Sequence, residues 1–155
     1  MSGFRPGVRL GIDVGTARVG VARCDRDGLL ATPVETVPRT SGDPVARVAA
    51  IAGELDAVEI VVGLPISLAG RETASTADAR DFARAVAETS GLPVRLLDER
   101  LTTVTANDAL RRSGRSQRGS RSIVDQVAAV VLLQQALDVE KRTGLPAGQP
   151  VLPEE

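Results

Sequence analysis

The sequence contains no histidine and only one cysteine. Without histidine, the protein cannot form a Ser-His-Asp triad, a Cys-His pair or a histidine zinc site. One cysteine excludes an internal disulfide and a cysteine-cluster metal site. Cys24 is expected to be a small buried side chain, as free cysteines commonly are. Any catalytic chemistry must therefore rest on other side chains.

Aromatic residues are almost absent, since there is no Trp or Tyr and Phe occurs only at positions 4 and 82. Base-stacking platforms of the RNA-recognition-motif or OB-fold type are therefore not expected. The formal net charge is −1, so the chain has no overall basic signature for nucleic acid. Binding to nucleic acid would have to rely on a local basic patch.

Long hydrophobic runs are also missing. No stretch approaches the ~20 apolar residues of a membrane span, and the first ten residues lack the apolar core of a signal peptide. We therefore expect a cytoplasmic protein without a membrane partner. The length of 155 residues suits one domain with a proper core. We assign residues 1–142 to that domain and expect the proline-rich tail, residues 143–155, to be disordered.

The apolar patterning predicts an α/β fold. Helices are predicted where apolar residues recur with a period of 3.6 residues. Strands are predicted where apolar residues are continuous or alternate with polar ones. The order is three antiparallel strands followed by βα crossovers, which gives a mixed five-stranded sheet with helices on both faces. Pro33 predicts an edge position or a bulge in the third strand. The strands are predicted at 8–14, 18–24, 29–37, 58–63 and 94–97, and the helices at 43–55, 73–89, 103–112 and 123–142.

Three acidic residues each border a strongly apolar element. Asp13 lies in GIDVGTARVGVA, Glu99 in LLDERLTT and Asp125 in SIVDQVAAVVLLQ. Carboxylates collected at one point repel one another and are tolerated together mainly when a cation lies between them. The pattern favours a Mg²⁺ or Mn²⁺ site, with phosphodiester hydrolysis as its chemistry.

Simpler explanations exist for two of these acids. The carboxylate of Asp13 could be satisfied by backbone N–H groups of the adjacent Gly15 turn. Ser122 and Asp125 fit a capping box, with Ser122 as the N-cap and Asp125 at position N3. A cap needs no metal, and spacing alone leaves the role of Asp125 open.

Glu99 has an acidic neighbour, Asp98. Strand alternation places the two side chains on opposite faces of the sheet, so only one of them need face the site. Either could instead form an ion pair with Arg100. Spacing alone does not choose between them.

A basic segment runs from residue 100 to residue 121 and contains only one acid, Asp108. Such a run is commonly a solvated loop. Arginines spaced by Ser and Gly beside a carboxylate site are also what binding to a phosphate backbone requires. The arginines of this segment are Arg100, Arg111, Arg112, Arg115, Arg118 and Arg121.

Together these motifs resemble the YqgF family, the RuvX-type group of Holliday-junction resolvases and pre-16S rRNA nucleases. The resemblance covers about residues 9–137. It rests on GIDVGTARVGVA, on VVGLP with Gly70 behind it, on LLDERLTT, and on the D-x-x-AA of Asp125 to Ala129. DERLTT at this distance from GIDVG is highly specific.

The resemblance implies a ribonuclease H-like fold and acidic residues that act with a divalent metal. Asp13 matches the family's first-strand acid, Glu99 the Glu of its DER motif, and Asp125 the Asp of its final helix. The resemblance therefore favours Glu99 over Asp98, and a ligand role over a cap for Asp125.

The function implied by the resemblance is a metal-dependent nuclease that processes the 5′ end of pre-16S rRNA. A Holliday-junction resolvase acting on branched DNA is the alternative, and it would require a two-fold homodimer. A non-catalytic nucleic-acid-binding protein would keep the arginines and tolerate loss of the acids. The expected partner is precursor rRNA or branched DNA, and the oligomeric state, monomer or homodimer, stays open.

Overall fold

Three apolar, β-branched segments at the start of the chain fold as an antiparallel meander, and crossover units follow them. The computed structural model describes residues 4–101 and 117–151 and, for residue 101 and residues 117–125, the backbone alone. The elements are β1 (Arg9–Val14), β2 (Arg18–Cys24), β3 (Ala31–Pro38), α1 (Pro44–Glu54), β4 (Glu59–Leu64), α2 (Ala74–Ser90), β5 (Val94–Asp98), a 3₁₀ turn (Glu99–Leu101), α3 (Gln117–Thr143) and β6 (Gln149–Pro150).

The strands form one mixed sheet in the order β3-β2-β1-β4-β5-β6. β1 pairs antiparallel with β2 and parallel with β4, and β4 pairs parallel with β5. β3 is an edge strand, and its register with β2 shifts opposite Val21 and Ala22. The predicted α/β class and mixed sheet are confirmed, and Pro33 lies on an edge strand beside a bulge, as expected.

The sheet has six strands where five were expected, because part of the tail expected to be disordered forms β6. Gln149–Pro150 pairs antiparallel with β5, and the N–H of Val151 also bonds to this strand at 2.8 Å. Arg95 donates to the carbonyls of Ala147 and Gly148 at 2.6 and 2.8 Å. The outer edge of β5 carries backbone N–H and C=O groups that need hydrogen-bond partners. A short extended segment provides these partners, although its sequence has no periodic pattern that would predict a strand.

Alternation along the central strands separates two apolar cores, one on each face. α1 and α2 cover one face and α3 covers the other, which confirms helices on both faces. The α1–α2 core includes Leu10, Ile12, Ile60, Val62, Val94 and Leu96. The α3 core includes Ala22, Cys24, Val61, Leu97, Ala129 and Leu133. Cys24 is buried and unbridged, as expected.

α3 begins at Gln117, six residues before its predicted start at residue 123. Arg118 and Arg121 therefore lie in a helix rather than in the expected loop. Arg, Ser and Gln are tolerated in helices, and only Gly119 is costly, by about 1 kcal/mol relative to Ala. The long apolar stretch that follows supports propagation back through this turn. Of the helices that the structure describes, none is long and apolar enough to cross a membrane.

A buried ionic cluster ties the start of β1 to the end of α3. Arg9 is only 1% exposed, and its guanidinium lies 2.9 Å from the Glu140 carboxylate. Arg5 bridges the same carboxylate at 2.7 Å and Glu59 at 3.1 Å. Because α3 runs antiparallel to β1, this cluster lies at the end of the sheet opposite the carboxyl ends of β1, β4 and β5.

Candidate active site

The parallel strands β1, β4 and β5 end at one edge of the sheet, and residues of interest gather there. Asp13 lies near the end of β1, and Glu99 directly follows β5. In open α/β sheets, ligands bind outside the carboxyl ends of parallel strands. This carboxyl edge is therefore the place to look for a site.

The structure brings Asp13 and Glu99 into contact. Alternation places Asp13 on the same face as Gly11, which packs against α3. Glu99 lies on the α3 side as well, since it continues the alternation of Leu97, which belongs to the α3 core. The two half-buried carboxyl groups share a hydrogen bond.

The pairing changes the protonation of Glu99. Burial raises the pKa of Glu99 from its usual 4.5 to about 9, and the hydrogen bond and negative charge of Asp13 act in the same direction, with a smaller effect of Asp98. At neutral pH the Glu99 carboxyl therefore keeps its proton and donates it to Asp13. A divalent cation between the two groups would take the place of that proton and favour both ionised forms.

Gly63 leaves the space that the Glu99 side chain occupies. A Cβ added at Gly63 would lie 2.8 Å from Cγ and 2.9 Å from Cδ of Glu99. Only a residue without a side chain allows this approach. Sequence reasoning did not single out Gly63, although a glycine inside the apolar run VEIVVG was the available signal.

Asp98 points to the other face and pairs with Arg100. The guanidinium of Arg100 lies 2.6 Å from an Asp98 oxygen, and its backbone N–H donates to the same carboxylate at 2.9 Å. The Arg100 hydrogen bond lowers the pKa of Asp98. The ion pair that was open to either acid is therefore formed by Asp98, which leaves Glu99 to contact Asp13.

Helix α3 approaches the sheet unusually closely beside Asp13. A Cβ at Gly11 would lie 2.7 Å from the Leu133 Cβ and 2.8 Å from the Ala129 carbonyl oxygen. Gly11 is thus the point at which the helix backbone rests on β1. The D-x-x-AA motif ends at Ala129, one helical turn after Asp125. The close contact therefore fixes the distance between this turn of α3 and β1.

A second contact shows that the position of Asp125 belongs to the carboxyl edge. Gln126 donates from Nε2 to Oγ1 of Thr36 at 2.8 Å. Thr36 pairs with Gly20, and Gly20 pairs with Asp13. The backbone of Asp125 therefore lies in the part of α3 that is level with Asp13. The side chain of Asp125 lies outside the described part of the structure.

The capping-box interpretation of Asp125 is wrong. α3 is continuous from Gln117 through residue 125, so Ser122 is inside the helix and cannot be its N-cap. Residue 125 is the ninth position of the helix rather than a first-turn position. An acid in a helix interior gains nothing from the capping interactions of the first turn.

Arg39 holds the turn between β1 and β2, and sequence reasoning missed it. Its guanidinium binds both carboxylate oxygens of Asp78 at 2.6 and 2.8 Å and donates to the Gly15 carbonyl at 2.8 Å. The N–H of Gly15 donates to the Arg18 carbonyl at 2.8 Å, which closes the turn. The turn that follows Asp13 is thereby tied to α2.

The residues present fit a divalent metal. Asp13 and Glu99 supply hard oxygen ligands, and Mg²⁺ is commonly held by one or two carboxylates together with substrate phosphates and waters. Within the described side chains, no group of three metal-ligating residues occurs. The described pair matches the one or two carboxylates that such a site commonly uses.

The arginines of the basic segment fall into three groups. Arg100 is 40% exposed and engaged with Asp98. Arg118 and Arg121 lie in the first two turns of α3. Arg111, Arg112 and Arg115, and the predicted helix at 103–112, lie outside the described residues.

Comparison with solved structures identifies the class of fold. The chain resembles the structure of "T. thermophilus RuvC in complex with Holliday junction substrate" with a TM-score of 0.58 and 19% identity, covering 93% of this chain and 99% of that one. A second Thermus thermophilus RuvC structure gives a TM-score of 0.55 at 18% identity, covering 92% and 99%. The fold is therefore ribonuclease H-like, as the resemblance implied.

Comparison with curated sequences identifies the family. The chain belongs to the RuvX family, described as Holliday junction resolvase, whose family model matches residues 7–139. A relative from Clavibacter michiganensis subsp. michiganensis is 56% identical over 147 residues, covering 94% of this chain and 91% of the relative. One from Leifsonia xyli subsp. xyli is 57% identical over 152 residues, covering 97% of each. Both relatives bear the name "Putative pre-16S rRNA nuclease".

Proposed function

We propose that this protein is a metal-dependent nuclease that hydrolyses phosphodiester bonds and acts in the cytoplasm on the 5′ end of pre-16S rRNA. One observation carries the proposal: two half-buried acids, Asp13 from β1 and Glu99 from the turn that follows β5, meet at the carboxyl edge. Two carboxyl groups in contact cost stability in the absence of a cation, and such an arrangement is typical of a functional site. The names of the relatives and family support the same class of reaction.

Asp13, Glu99 and Asp125 are the proposed metal ligands, with Mg²⁺ or Mn²⁺ as the ion. When bound, the metal would activate water and stabilise negative charge on the leaving oxygen. The chain itself orients the two described ligands. Gly63 provides space for Glu99, and Arg39 holds the Gly15 turn beside Asp13.

The proposed proton route follows from the composition. Histidine is absent, so the proton of the attacking water would pass to hydroxide held by the metal, to a carboxylate or to the substrate phosphate. Glu99 is not assigned this role, because a metal ligand is held in its ionised form by the cation.

We propose that the arginines of the 100–121 segment position the phosphate backbone. Arg118 and Arg121 lie near the start of α3, where the helix macrodipole adds positive potential. Arg100 would have to exchange part of its contact with Asp98 for a phosphate. Because Asp98 is 27% exposed and Arg100 is 40% exposed, the pair is solvated and such an exchange costs little.

Cleavage of four-way DNA junctions is the second candidate function. The family description names it, and the same carboxylates could carry out the chemistry. Symmetric cutting of two strands requires a two-fold homodimer, whereas trimming of a precursor end does not. A non-catalytic binding protein is the third possibility, and it would not depend on the two acids.

A side-by-side cleavage assay tests the proposal. The purified chain is incubated with a pre-16S rRNA fragment and a four-way DNA junction, each with Mg²⁺ and with EDTA. We expect Mg²⁺-dependent cleavage of the rRNA fragment. Cleavage of the junction alone would favour the second candidate, and absence of cleavage on both would favour the binding protein.

Replacement of Asp13 tests the role of the carboxylate pair. Asp13→Asn should abolish Mg²⁺-dependent cleavage, because the amide carries no negative charge to hold the cation, and it should lower the pKa of Glu99, because the charge that favours its protonated form is removed. Asp27→Asn, on an exposed turn at the opposite end of the sheet, is the matched control and should cleave normally. Undiminished turnover by Asp13→Asn would remove Asp13 from the mechanism.

A further inference from the structure

The loop between β4 and α2, residues 65–73 and here called the β4–α2 loop, is a hydrogen-bonded hairpin turn. Ile66 and Glu72 form an isolated antiparallel bridge. Ser67 donates to the Arg71 carbonyl at 3.0 Å, and its own carbonyl accepts from Gly70 at 2.8 Å. The Ser67 hydroxyl accepts from the Arg71 N–H at 3.0 Å. Gly70 has φ +81°, a conformation that favours glycine. These bonds give the loop a defined shape.

The loop is also fixed relative to α2. The hydroxyl of Thr76 in the first turn of α2 donates to the carbonyl of Pro65, where the loop begins. At the other end, Glu72 binds the guanidinium of Arg80 through two contacts of 2.9 Å. Both ends of the loop are therefore attached to the same helix.

The loop stands beside the candidate active site. Gly63, which contacts Glu99, precedes Leu68 by five residues, so at most about 17 Å of extended chain separates them. A Cβ at Gly70 would lie 3.6 Å from Nη1 of Arg100, the residue after Glu99. The loop therefore rises from the same carboxyl edge, on the face to which Arg100 points, and a nucleic acid strand that is bound at the carboxylates and crosses this edge would meet the loop.

The tip presents an apolar side chain and a cation. Leu68 is 97% exposed. Arg71 is exposed as well, and its guanidinium has no carboxylate partner among the residues that the structure describes. A single exposed leucine is ordinary on a protein surface. This one, however, is held on an ordered turn, next to a cation and beside two acids that meet at the sheet edge.

This pair of side chains matches the two parts of a nucleotide. Apolar side chains such as Leu insert beside unstacked bases, and arginines bind phosphate oxygens. The chain has no Trp or Tyr to stack on a base, so an aliphatic contact is the available means. A base inside a regular duplex offers no free face, whereas an unpaired base does.

We propose that the β4–α2 loop recognises an unpaired nucleotide next to the cleaved bond, with Leu68 packed against the base and Arg71 bound to a neighbouring phosphate. The proposal rests on the proposed nuclease function and narrows its substrate class. The preferred substrate is a nucleic acid in which paired and unpaired segments adjoin, such as a duplex with a single-stranded 5′ extension.

Equilibrium binding in EDTA tests Leu68 without depending on cleavage. The probes are an RNA duplex with a 5′ extension, carrying 2-aminopurine at the first unpaired position, and the fully paired duplex. Leu68→Ala should weaken binding to the extended duplex about five- to tenfold, the loss of a few apolar carbons from a contact. Binding to the fully paired duplex should not change. The fluorescence change of 2-aminopurine on binding should be reduced in the same variant.

Leu29→Ala is the matched control, because Leu29 is 71% exposed on the turn at the opposite end of the sheet. It should bind both probes like the unmodified protein. Arg71→Ala should lower the slope of log K against log salt by about 0.7–0.9 with both probes, as loss of one phosphate contact does. Arg26→Ala, on the same opposite turn, should leave the slope unchanged.

The outcomes separate the two proposals. If Leu68→Ala prefers the extended duplex over the fully paired duplex as strongly as the unmodified protein does, the loop assignment is overturned. A contact of Leu68 with a protein partner would then be the explanation to test. If the unmodified protein binds but never cleaves, the nuclease proposal fails and the binding test of the loop still stands. If it binds no nucleic acid at all, both proposals are overturned.

Discussion

At the scale of single residues, Glu99 can contact Asp13 because the neighbouring residue on β4 has no side chain. Gly63 leaves room for the Glu99 chain, and Asp98 keeps Arg100 on the other face. Strand alternation alone could not choose between Asp98 and Glu99, because it states only that they face opposite ways. The choice depends on which face α3 covers, a tertiary fact that local spacing does not contain.

Gly63→Ala should therefore impair the site more than the fold. The added Cβ overlaps the Glu99 side chain, which must move by an ångström or more. A displacement of about 1 Å in a catalytic group can cost about 100-fold in rate, whereas overpacking costs about 1–3 kcal/mol of stability. Single-turnover cleavage and thermal melting measure the two effects.

The control for this substitution is Gly53→Ala on α1, where an added Cβ meets nothing within 4 Å. It should cleave normally and be slightly more stable, because Ala is favoured over Gly in helices. If Gly63→Ala cleaves as fast as this control, the position of Glu99 does not limit the reaction.

At the scale of elements, the sequence predicts most helices and strands of residues 4–101 and 117–151 within a few residues and fails at two places in these ranges. The start of α3 is missed because Arg, Ser and Gly in residues 117–121 show no apolar period, although they can continue a helix supported by the buried part. β6 is missed because two residues among prolines and glycines carry no strand pattern. In both cases the deciding interaction comes from an element that is distant in sequence.

The contact between α3 and β1 gives a prediction at this scale. Gly11→Ala would press a Cβ against both the Leu133 side chain and the Ala129 carbonyl, so the helix backbone must move away from the strand. We expect about 1–3 kcal/mol of destabilisation, measured by urea unfolding, together with loss of cleavage because the turn bearing Asp125 shifts. The double variant with Leu133→Ala keeps both close contacts, because alanine retains the Cβ of residue 133 and the Ala129 carbonyl is unchanged, so it should not restore cleavage. Normal cleavage by Gly11→Ala would show that the distance between α3 and β1 does not limit the reaction.

At the scale of the whole molecule, an ionic cluster of the exposed Arg5 and the buried Arg9, Glu59 and Glu140 joins the start of β1 to the end of α3. Sequence reasoning could not find it, because Arg9 and Glu140 are 131 positions apart and each looks like an ordinary surface charge. Burial of Glu140 acts to raise its pKa, but hydrogen bonds from Arg5 and the charges of Arg9 and Arg5 outweigh it and lower the pKa.

The sign of the pH effect follows from this lowered pKa. Glu140 contributes stability that is present above the pKa of an unfolded Glu, about 4.3, and that is lost as the pH falls through the lower folded value. Glu140→Gln should cost about 3–5 kcal/mol at pH 7, because it leaves Arg9 buried without its charged partner. The difference from the unmodified protein should shrink toward pH 3. Urea unfolding at both pH values measures this, and the exposed Glu88→Gln should show almost no difference at either. A pH-independent cost for Glu140→Gln would mean that packing, not charge, is lost.

Both outer strands of the sheet contain proline. Pro33 and Pro38 lie in β3, and Pro150 lies in β6. Proline has no N–H to donate, so these residues disfavour the addition of a strand from a second copy at either border of the described sheet. If two copies cooperate to cut both arms of a branched substrate, we expect them to meet through helices or loops. Their two carboxylate pairs would then be spaced by helix packing rather than by a continuous sheet.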